Sequence, residues 1–401
     1  MEIFGDTLSL KGDLIEYSAL QRILKRSYIK PRFKINVLNA DETVNYTIPE
    51  EDILNDGISF TENYQNGQRK NITLKLINIQ GKYTPSINGI WLSTKFSFEI
   101  GLNYSGDKTV WFPRGVYIMG DVTLIHENSR DEISIQLKDK YAIFEGKMGT
   151  LDEAYEIPVG SNIEDAINGI RNFSLGNGYI LDYKPIILDP SFVGKTTQST
   201  IRIEEGQNLG KVIDELATQL SAEYYYNNVG NLCFYPLNET VDDSNKPVIW
   251  VFEDLGRSLH NLTLTYNNEE IINVVKVVGD NIENGIFSAT VTNENPMSPI
   301  CIERVGRRVA PKYTEANVWN DELAYDMAVY YLRQYSFASV NFSCVVGFNP
   351  ILAVNNICEV ENSHLELYRE KLLITSISYT SSDGAMTLSL CNTSDLPTLN
   401  S

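Results

Sequence analysis

Short stretches of alternating apolar and polar residues recur from Arg32 to about Phe144 and again from Leu262 to Leu390. That period of two confines most of the chain to β structure. Phe33, Ile35 and Val37 alternate with Lys34 and Asn36, and Lys95-Phe96-Ser97-Phe98-Glu99-Ile100 alternates cleanly. Ile72, Leu74 and Leu76, with the offset Ile77 and Ile79, predict another strand. Val110–Phe112, Val116–Met119, Val122–Ile125 and Ile133–Leu137 predict four more. Turn signals separate them at Asp56-Gly57, Asn66-Gly67, Asn88-Gly89, Gly106-Asp107 and Met119-Gly120-Asp121. Strands this short at this spacing fit a sandwich or barrel.

Helical periodicity is confined to a few segments. Residues 13–28 carry Leu14, Ile15, Tyr17, Leu20, Ile23, Leu24 and Tyr28 on one face, with Lys25 and Arg26 in the last turn and Pro31 as the stop. Ser161-Asn162-Ile163-Glu164 has a capping-box signature, and Ile163, Ala166, Ile167, Ile170 and Phe173 follow as a helix face. Leu209, Val212, Ile213, Leu216, Leu220 and Tyr224 form the next, before a hairpin that turns at Asn227–Asn231 into Leu232–Tyr235. This makes a small α+β unit, closed by a polar linker at Asn238–Asn245. Beyond it, Ile271–Val278 is a long β-branched strand, and a helix near Thr314–Gln334 presents Trp319, Leu323, Met327, Tyr330 and Tyr331. Strands at Val340–Val346 and Ile357–Val360 lead to the clearest hairpin, Leu372–Tyr379 turning at Asp383-Gly384 into Met386–Leu390.

A chain of 401 residues exceeds one ordinary core and predicts two to four domains. The formal charge of −19 opposes binding to a phosphate backbone or an anionic membrane, so no sequence-specific nucleic-acid binding is expected. Part of that acidic surface could instead line a passage for a polyanion. No run of about 18 apolar residues occurs, so no membrane insertion is expected. The five cysteines are widely spaced without a CxxC pair, which predicts free buried thiols and synthesis in a reducing cytosol. Met1–Asp6 lacks the basic start and apolar core of a signal peptide.

No catalytic constellation is legible. His126, His260 and His364 lie in separate segments without HExxH spacing, and Cys233 sits in an alternating strand, not at a helix N-terminus. Gly194-Lys195-Thr196-Thr197 resembles the end of a phosphate-binding loop, but Asp189 stands where its first glycine belongs, and the segment reads as a turn. Carboxylate pairs such as Glu204-Glu205 are expected by chance among 52 acidic residues. No catalytic, cofactor-binding or metal residue is therefore assigned, no cofactor is expected, and the expectation is a non-enzyme.

The order of elements in the C-terminal part carries a resemblance. A helix at Leu323–Tyr335 precedes a strand, then Phe348-Asn349-Pro350-Ile351-Leu352, the strand Ile357–Val360, and the hairpin Lys371–Tyr379 with Ala385–Leu390. This resembles the baseplate, or tail, hub proteins of contractile-tailed bacteriophages and of prophage-like particles of Gram-positive bacteria. Trp91–Leu102, Phe112–Asn128, the capped helix at Ser161 and the Leu209–Tyr226 segment are similar too, so the likeness runs from about residue 10 to residue 392. It implies a mainly β fold with α+β accessory domains, two tail-tube-like β-barrel domains per subunit and a trimeric ring. The implied division is an N-terminal helical arm at 1–29, a first barrel at 30–148 and an α+β accessory domain at 149–245. A second barrel would combine 246–280 with 338–392 around an inserted helical segment at 281–337, followed by a tail at 393–401. The implied role is a structural hub in the virion tail baseplate. It would adapt a sixfold tail tube to a threefold central spike, anchor baseplate wedge proteins, and leave a lumen for DNA. Implied partners are two further copies, the tail tube or distal tube-end protein, the spike and the tape measure protein. The alternatives are a tail-associated cell-wall hydrolase (a lysin or endopeptidase), for which the hub-like pattern leaves no room before residue 392, and a carbohydrate-binding adhesin module.

Overall fold

The computed structural model describes residues 2–392 except 5–6, 11–12, 27–28, 87–88, 92, 106–107, 128–129, 177, 237–245, 254–258, 282–284, 297, 316–317 and 319. The expected linker at 238–245, the tail at 393–401, Trp319, Tyr28 and parts of the turns at Asn88-Gly89 and Gly106-Asp107 lie outside the described residues.

Three strands open the chain and pair in sequence: β1 (Glu2–Phe4), β2 (Thr7–Leu10) and β3 (Asp13–Glu16). Helix α1 (Tyr17–Leu24) follows; Leu20 and Leu24 join the main core, and Ile23 is buried as well. The helix expected over 13–28 thus starts later, and the N-terminal arm is strand before it is helix. Thr7–Leu10 supplies the hydrogen-bond partner that makes Asp13–Glu16 a strand, a choice that short apolar runs do not reveal.

The first β half contains β4 (Arg32–Leu38), β5 (Val44–Ile48), β6 (Ile53–Asn63), β7 (Lys70–Ile77), β8 (Lys95–Ser105), β9 (Lys108–Glu127) and β10 (Arg130–Asp139), in the order β5-β4-β8-β9-β10-β7-β6. Val110–Phe112, Val116–Met119 and Val122–Ile125, expected as three strands, are one strand of 20 residues. Pro113, which has no N–H to give, sits at a register shift opposite Glu99, and Gly120-Asp121 falls at a second shift opposite Ile135–Leu137. Both are bulges that bend a continuous strand. Asp56-Gly57 is likewise a bulge within β6, where a Cβ on Gly57 would lie 2.6 Å from the Leu54 carbonyl oxygen.

The α+β unit comprises α2 (Ala142–Glu145), β11 (Tyr155–Ile157), α3 (Ile163–Arg171), β12 (Ile187–Leu188), β13 (Ile201–Ile203), α4 (Leu209–Leu220), β14 (Ala222–Tyr226) and β15 (Leu232–Pro236). Both long helices are capped by asparagine: Asn162 Oδ1 accepts from Asp165 N at 3.1 Å and Asn208 Oδ1 from Lys211 N at 3.2 Å. Ser221, left-handed at φ 50°, ends α4, so Tyr224, expected on the helix, lies on β14. Ile163, Ile167, Leu209, Val212, Leu216 and Phe234 are almost wholly buried and form a separate core. Each such Leu, Ile or Phe contributes about 1.5–3 kcal/mol of transfer free energy.

The C-terminal part contains β16 (Val248–Phe252), β17 (Leu259–Tyr266), β18 (Val274–Asn281), β19 (Gly285–Thr292), α5 (Ile302–Val305), β20 (Tyr313–Glu315), α6 (Asp321–Ser339), β21 (Val340–Gly347), β22 (Ile357–Asn362), β23 (Leu367–Thr380) and β24 (Ala385–Asn392). The β-branched strand expected in the second barrel, β18, pairs instead with β19 and β20 under α6, with its own core of Val275, Val277, Ala324, Ala328 and Leu332. Thr314 and Glu315, expected at the start of the helix, belong with Tyr313 to its parallel edge strand β20. Strands β17, β21, β24 and β23, with β22 and β16 beside β23, complete the main sheet. One hydrophobic cluster spans both halves of that sheet. Tyr379 stacks on Phe60 with ring centroids 5.0 Å apart, and Phe348 meets it edge-on at 5.3 Å.

Candidate interface and its buried anchors

The two halves of the main sheet meet edge to edge. The C-terminal half of β23 pairs antiparallel with β6, Ser376 opposite Asn63 through Thr380 opposite Ser59, whereas its N-terminal half pairs with β22. A bulge at Thr375 separates the two stretches; the Thr375 carbonyl accepts from Tyr64 N at 2.8 Å, and its hydroxyl donates to Ser389 O at 3.0 Å. Strand β23 therefore belongs to both halves, and the result is one continuous ladder, β9-β10-β7-β6-β23-β24-β21-β17.

The side chains of this ladder divide sharply. Its inner face carries Ile58, Phe60, Leu74, Ile377, Leu388 and Phe342, all nearly inaccessible. Its outer face carries rows of hydroxyls and amides in cross-strand register, with Lys75, Glu132 and Lys138 on the same face of β7 and β10. Asn71, Thr61, Ser378 and Thr387 form one row, and Asn63, Ser376, Ser389, Ser343 and Thr263 the next. Ser376 donates to Asn63 Oδ1 at 2.8 Å across the joint. These residues are half-buried or exposed.

Arg114 locks the joint from behind. It is 2% exposed, donates from Nη1 to Leu352 O at 2.9 Å and from Nη2 to Pro350 O, and so holds the Asn-Pro-Ile-Leu segment of the second half from a strand of the first. Asn349 shapes that segment by accepting from Ile351 N at 3.1 Å. Gly115, at φ 135°, supplies the backbone turn that aims Arg114 inward. A Cβ there would stand 3.2 Å from the Tyr117 ring, whose hydroxyl donates to Arg114 O at 2.8 Å.

Four more buried cations fasten the α+β unit to the first half. Lys140, wholly inaccessible, forms an ion pair with Glu42 at 2.7 Å and donates to Asp182 at 2.5 Å and to Gly230 O at 3.1 Å. Glu42 also takes Lys95 at 2.8 Å, and the turn that presents it holds Glu42 itself left-handed at φ 66°. Tyr226 OH donates to Asp182 at 2.6 Å. Arg69 reaches Glu223 at 3.2 Å and lies 3.8 Å over the Tyr225 ring, while Lys70 donates to Asn228 Oδ1 at 2.5 Å.

Beside them, Asp139 accepts from the backbone N–H groups of Arg69, Lys70 and Tyr141, yet burial pushes its carboxyl up to about 6. Its folded value is above the unfolded one, so its stabilising contribution is full below about 3.8 and is lost as pH rises through about 6, amounting to about 3 kcal/mol. Asp139→Asn should flatten the stability profile between pH 4 and 6 in thermal melts, and an unchanged slope there would refute this account.

None of these groups is set up as a nucleophile with a base. The five cysteines are buried, with the Cys233 thiol pushed up to about 11 and the Cys344 thiol to about 12 by desolvation. His126, His260 and His364 are exposed on three different elements, so no Cys–His pair forms among them. Among the described residues no group of three His, Cys, Asp or Glu side chains could hold a metal ion. The Gly194-Lys195-Thr196 segment is a turn: Asp189 caps it through Ser191 N at 2.8 Å, and Thr197 Oγ1 donates to Pro158 O at 2.8 Å. It lines a cleft of about 560 Å³ facing Asn320, Glu322 and Asp326 at the start of α6. No helix among the described residues is long and apolar enough to cross a membrane.

No family model and no curated protein matches the sequence. Solved structures do. The 43 kDa tail protein of prophage MuSo2 from Shewanella oneidensis superposes with a TM-score of 0.60 at 15% identity, over 91% of this chain and 99% of that one. The chain has a tail-protein fold. A tail protein from Neisseria meningitidis is similar with a TM-score of 0.55, 11% identity and coverage of 91% and 99%. A prophage tail protein from Listeria monocytogenes gives 0.51, 11% identity and coverage of 90% and 94%. At these identities the likeness lies in the fold, and it extends over the whole length of such tail proteins.

The anchoring cations were missed in the sequence. Pro113-Arg114-Gly115 falls between two expected strands, and Lys140 stands in the charged-looking run Lys138-Asp139-Lys140. The one available signal was Asn-Pro-x-Leu, a segment whose carbonyls need a donor from elsewhere in the chain.

Proposed function

We propose that the chain is a structural subunit of a tail baseplate hub. Three copies close into a ring whose six sheet halves, two from each chain, match a sixfold tail tube on one face and a threefold spike on the other. The observation that carries this reading is the continuous ladder. It joins two sheet halves side by side inside one chain through β6 and β23, and it leaves open edges at both ends. Over Gly120–Glu127, β9 pairs only with β10, because its pairing with β8 stops at Ile118. At the other end, among the described residues, β17 pairs with β21 alone. Exposed strand edges invite pairing, and two different edges on opposite sides of one subunit make a head-to-tail contact that closes when the rotation fits a ring. Leu124, 53% exposed on β9, and Tyr266, 67% exposed on β17, stand on these edges. The tail-protein fold supports the setting, and the interlocked α+β unit offers a rigid outer platform for wedge, tube-end and tape measure proteins. The hub would sit at the distal end of the tail in the virion.

Class averages of isolated tails carrying a labelled copy of this chain test the proposal. The expected result is three labels around the tube axis at its distal end; six labels, or labels away from the axis, would refute it.

A further inference from the structure

The α+β unit is built twice over. Strand β11, Gly160, the cap Asn162 and helix α3 follow one another at the same spacing as β13, Gly206, the cap Asn208 and helix α4. Both glycines stand at φ 81°. Ile157, Ile163, Ile167 and Ile170 of the first repeat correspond to Ile203, Leu209, Ile213 and Leu216 of the second, and all are buried. A pseudo-twofold axis relates the repeats and passes between Glu156 and Arg202, which stand opposite each other on β11 and β13. Hydrogen bonds off that axis come in matched pairs. Leu151 N donates to Gln207 O at 2.8 Å, as Thr197 N does to Ser161 O at 2.9 Å. Gly206 N donates to Leu151 O at 2.9 Å, as Gly160 N does to Thr197 O at 2.9 Å. A duplicated unit presents related surfaces at corresponding positions.

Two clefts obey this symmetry. Gly194, Thr196, Gln198, Gln219 and Ser221 of the second repeat border the cleft of about 560 Å³. Met148, Thr150, Asp152, Phe173 and Leu175, the corresponding residues of the first repeat, border another of about 650 Å³. The second repeat's cleft already has a neighbour: the start of α6 brings Asn320, Glu322, Leu323 and Asp326 to it, across from Lys195. Leu323 is covered there, at 5% exposure. The first repeat's cleft also has a lysine in the turn ahead of its strand, Lys147. From outside the α+β unit, among the described residues, it is bordered by Ala40, Ser93 and Lys95 of the first sheet half, and by no helix. Its wall is the more apolar of the two. Met148, Phe173 and Leu175 stand where the second repeat has Gly194, Gln219 and Ser221, and Tyr179, 48% exposed, lines it as well.

We infer that the first repeat's cleft is a socket for the acidic first turn of an amphipathic helix from another protein of the tail. The tail setting rests on the function proposed above; the chemistry of the socket does not. The pseudo-symmetry names the occupant, because the corresponding cleft of the same chain faces a helix start that carries two acids and a leucine. The charges agree with it. In a chain of net charge −19, this apolar cleft gathers two ammonium groups, Lys95 and Lys147, against the single carboxylate of Asp152. Acids in a first helical turn also suit the positive end of the helix dipole, so such a turn carries its acids without cost to the helix. Met148, Phe173 and Leu175 then seat one apolar side chain of the partner, as in other helix-in-groove contacts. One helix end buries little surface, which makes the contact weak and exchangeable.

The start of α6 supplies the probe. A peptide of residues 320–334, stapled between positions 330 and 334 to hold it helical and labelled at its C-terminal end, should bind the intact protein saturably in fluorescence anisotropy. Lys147 is exposed, so Lys147→Glu leaves the core alone. That variant should bind the peptide about fivefold more weakly, the reach of one exposed ion pair at about 1 kcal/mol. A peptide carrying Glu322→Lys and Asp326→Lys should prefer the variant to the original protein. Leu323→Asp in the peptide should abolish binding, because the apolar seat is then offered a charge. Lys195→Glu, in the second repeat's cleft, should leave the affinity unchanged. Binding that responds to Lys195→Glu and ignores Lys147→Glu would show the peptide displacing the chain's own α6, and it overturns the socket. So does the absence of saturable binding. Neither result bears on where labelled copies sit in isolated tails, so the hub reading stands or falls separately.

Discussion

Lys140→Met should loosen the α+β unit from the first sheet half by about 3–5 kcal/mol, the usual consequence of removing one partner from a buried ion cluster. The ammonium lies between Glu42 and Asp182 with no access to solvent, and those carboxylates are 1% exposed. Methionine fills similar space, so packing is retained and the stranded negative charge is the cause. Two measurements separate this from a general loss of stability. Hydrogen exchange should rise in β14, β15 and α3 before it rises in β6, β7 and β10, because the cluster ties the first group to the second. Adding Asp182→Asn should restore part of the loss while keeping an acceptor for Tyr226 OH.

Arg114→Met should cost about 2–4 kcal/mol at the joint, because two carbonyl oxygens, those of Pro350 and Leu352, lose a charged donor inside the protein. The readout that distinguishes a joint from a mere core position is the β6–β23 ladder. Exchange of the amides between Ser376 and Thr380 should accelerate by two orders of magnitude or more, the fold-change that ~3 kcal/mol implies at 1.4 kcal/mol per decade. The α4 amides of the neighbouring unit should be unchanged. Equal acceleration in both places would show that Arg114 supports the whole molecule and not the joint. The same variant should fail to close rings if the joint sets the angle between the two halves.

Much of the fold could be read in the chain. The period of two in Phe33–Val37, Lys95–Ile100 and Met386–Leu390 gave strands that bury one face, and the capping box at Ser161–Glu164 and the helical face from Leu209 gave two helices that start where expected, although Asn162 and Asn208 are the caps and the second ends at Leu220. Such signals are local: a side chain's face and a cap's partner lie within a few residues of each other. Errors came where the partner lay far away. Gly120 reads as a chain reversal and the stretch around Pro113 as a break between two strands, yet both are bends in β9, because β8 and β10 hold the strand straight on either side. Val274–Asn281 has the composition of a barrel strand, and only its pairing with β19 and β20 assigns it to the inserted unit. Asp13–Glu16 fitted a helical face until β2 claimed its hydrogen bonds.

By itself the sequence determined that this is a mainly β protein with helical units between its strands, with thiols that end up buried and without a legible reaction centre. Local periodicity, capping and composition suffice for that. Only the tertiary structure decided that β6 and β23 fuse two halves into one ladder, that Arg114 and Lys140 are internal fasteners and not surface charges, and that the outward Ser, Thr and Asn residues align across that fusion. Those facts depend on register between strands more than 300 residues apart and on desolvation by distant segments, and neither quantity is encoded in any window of the chain.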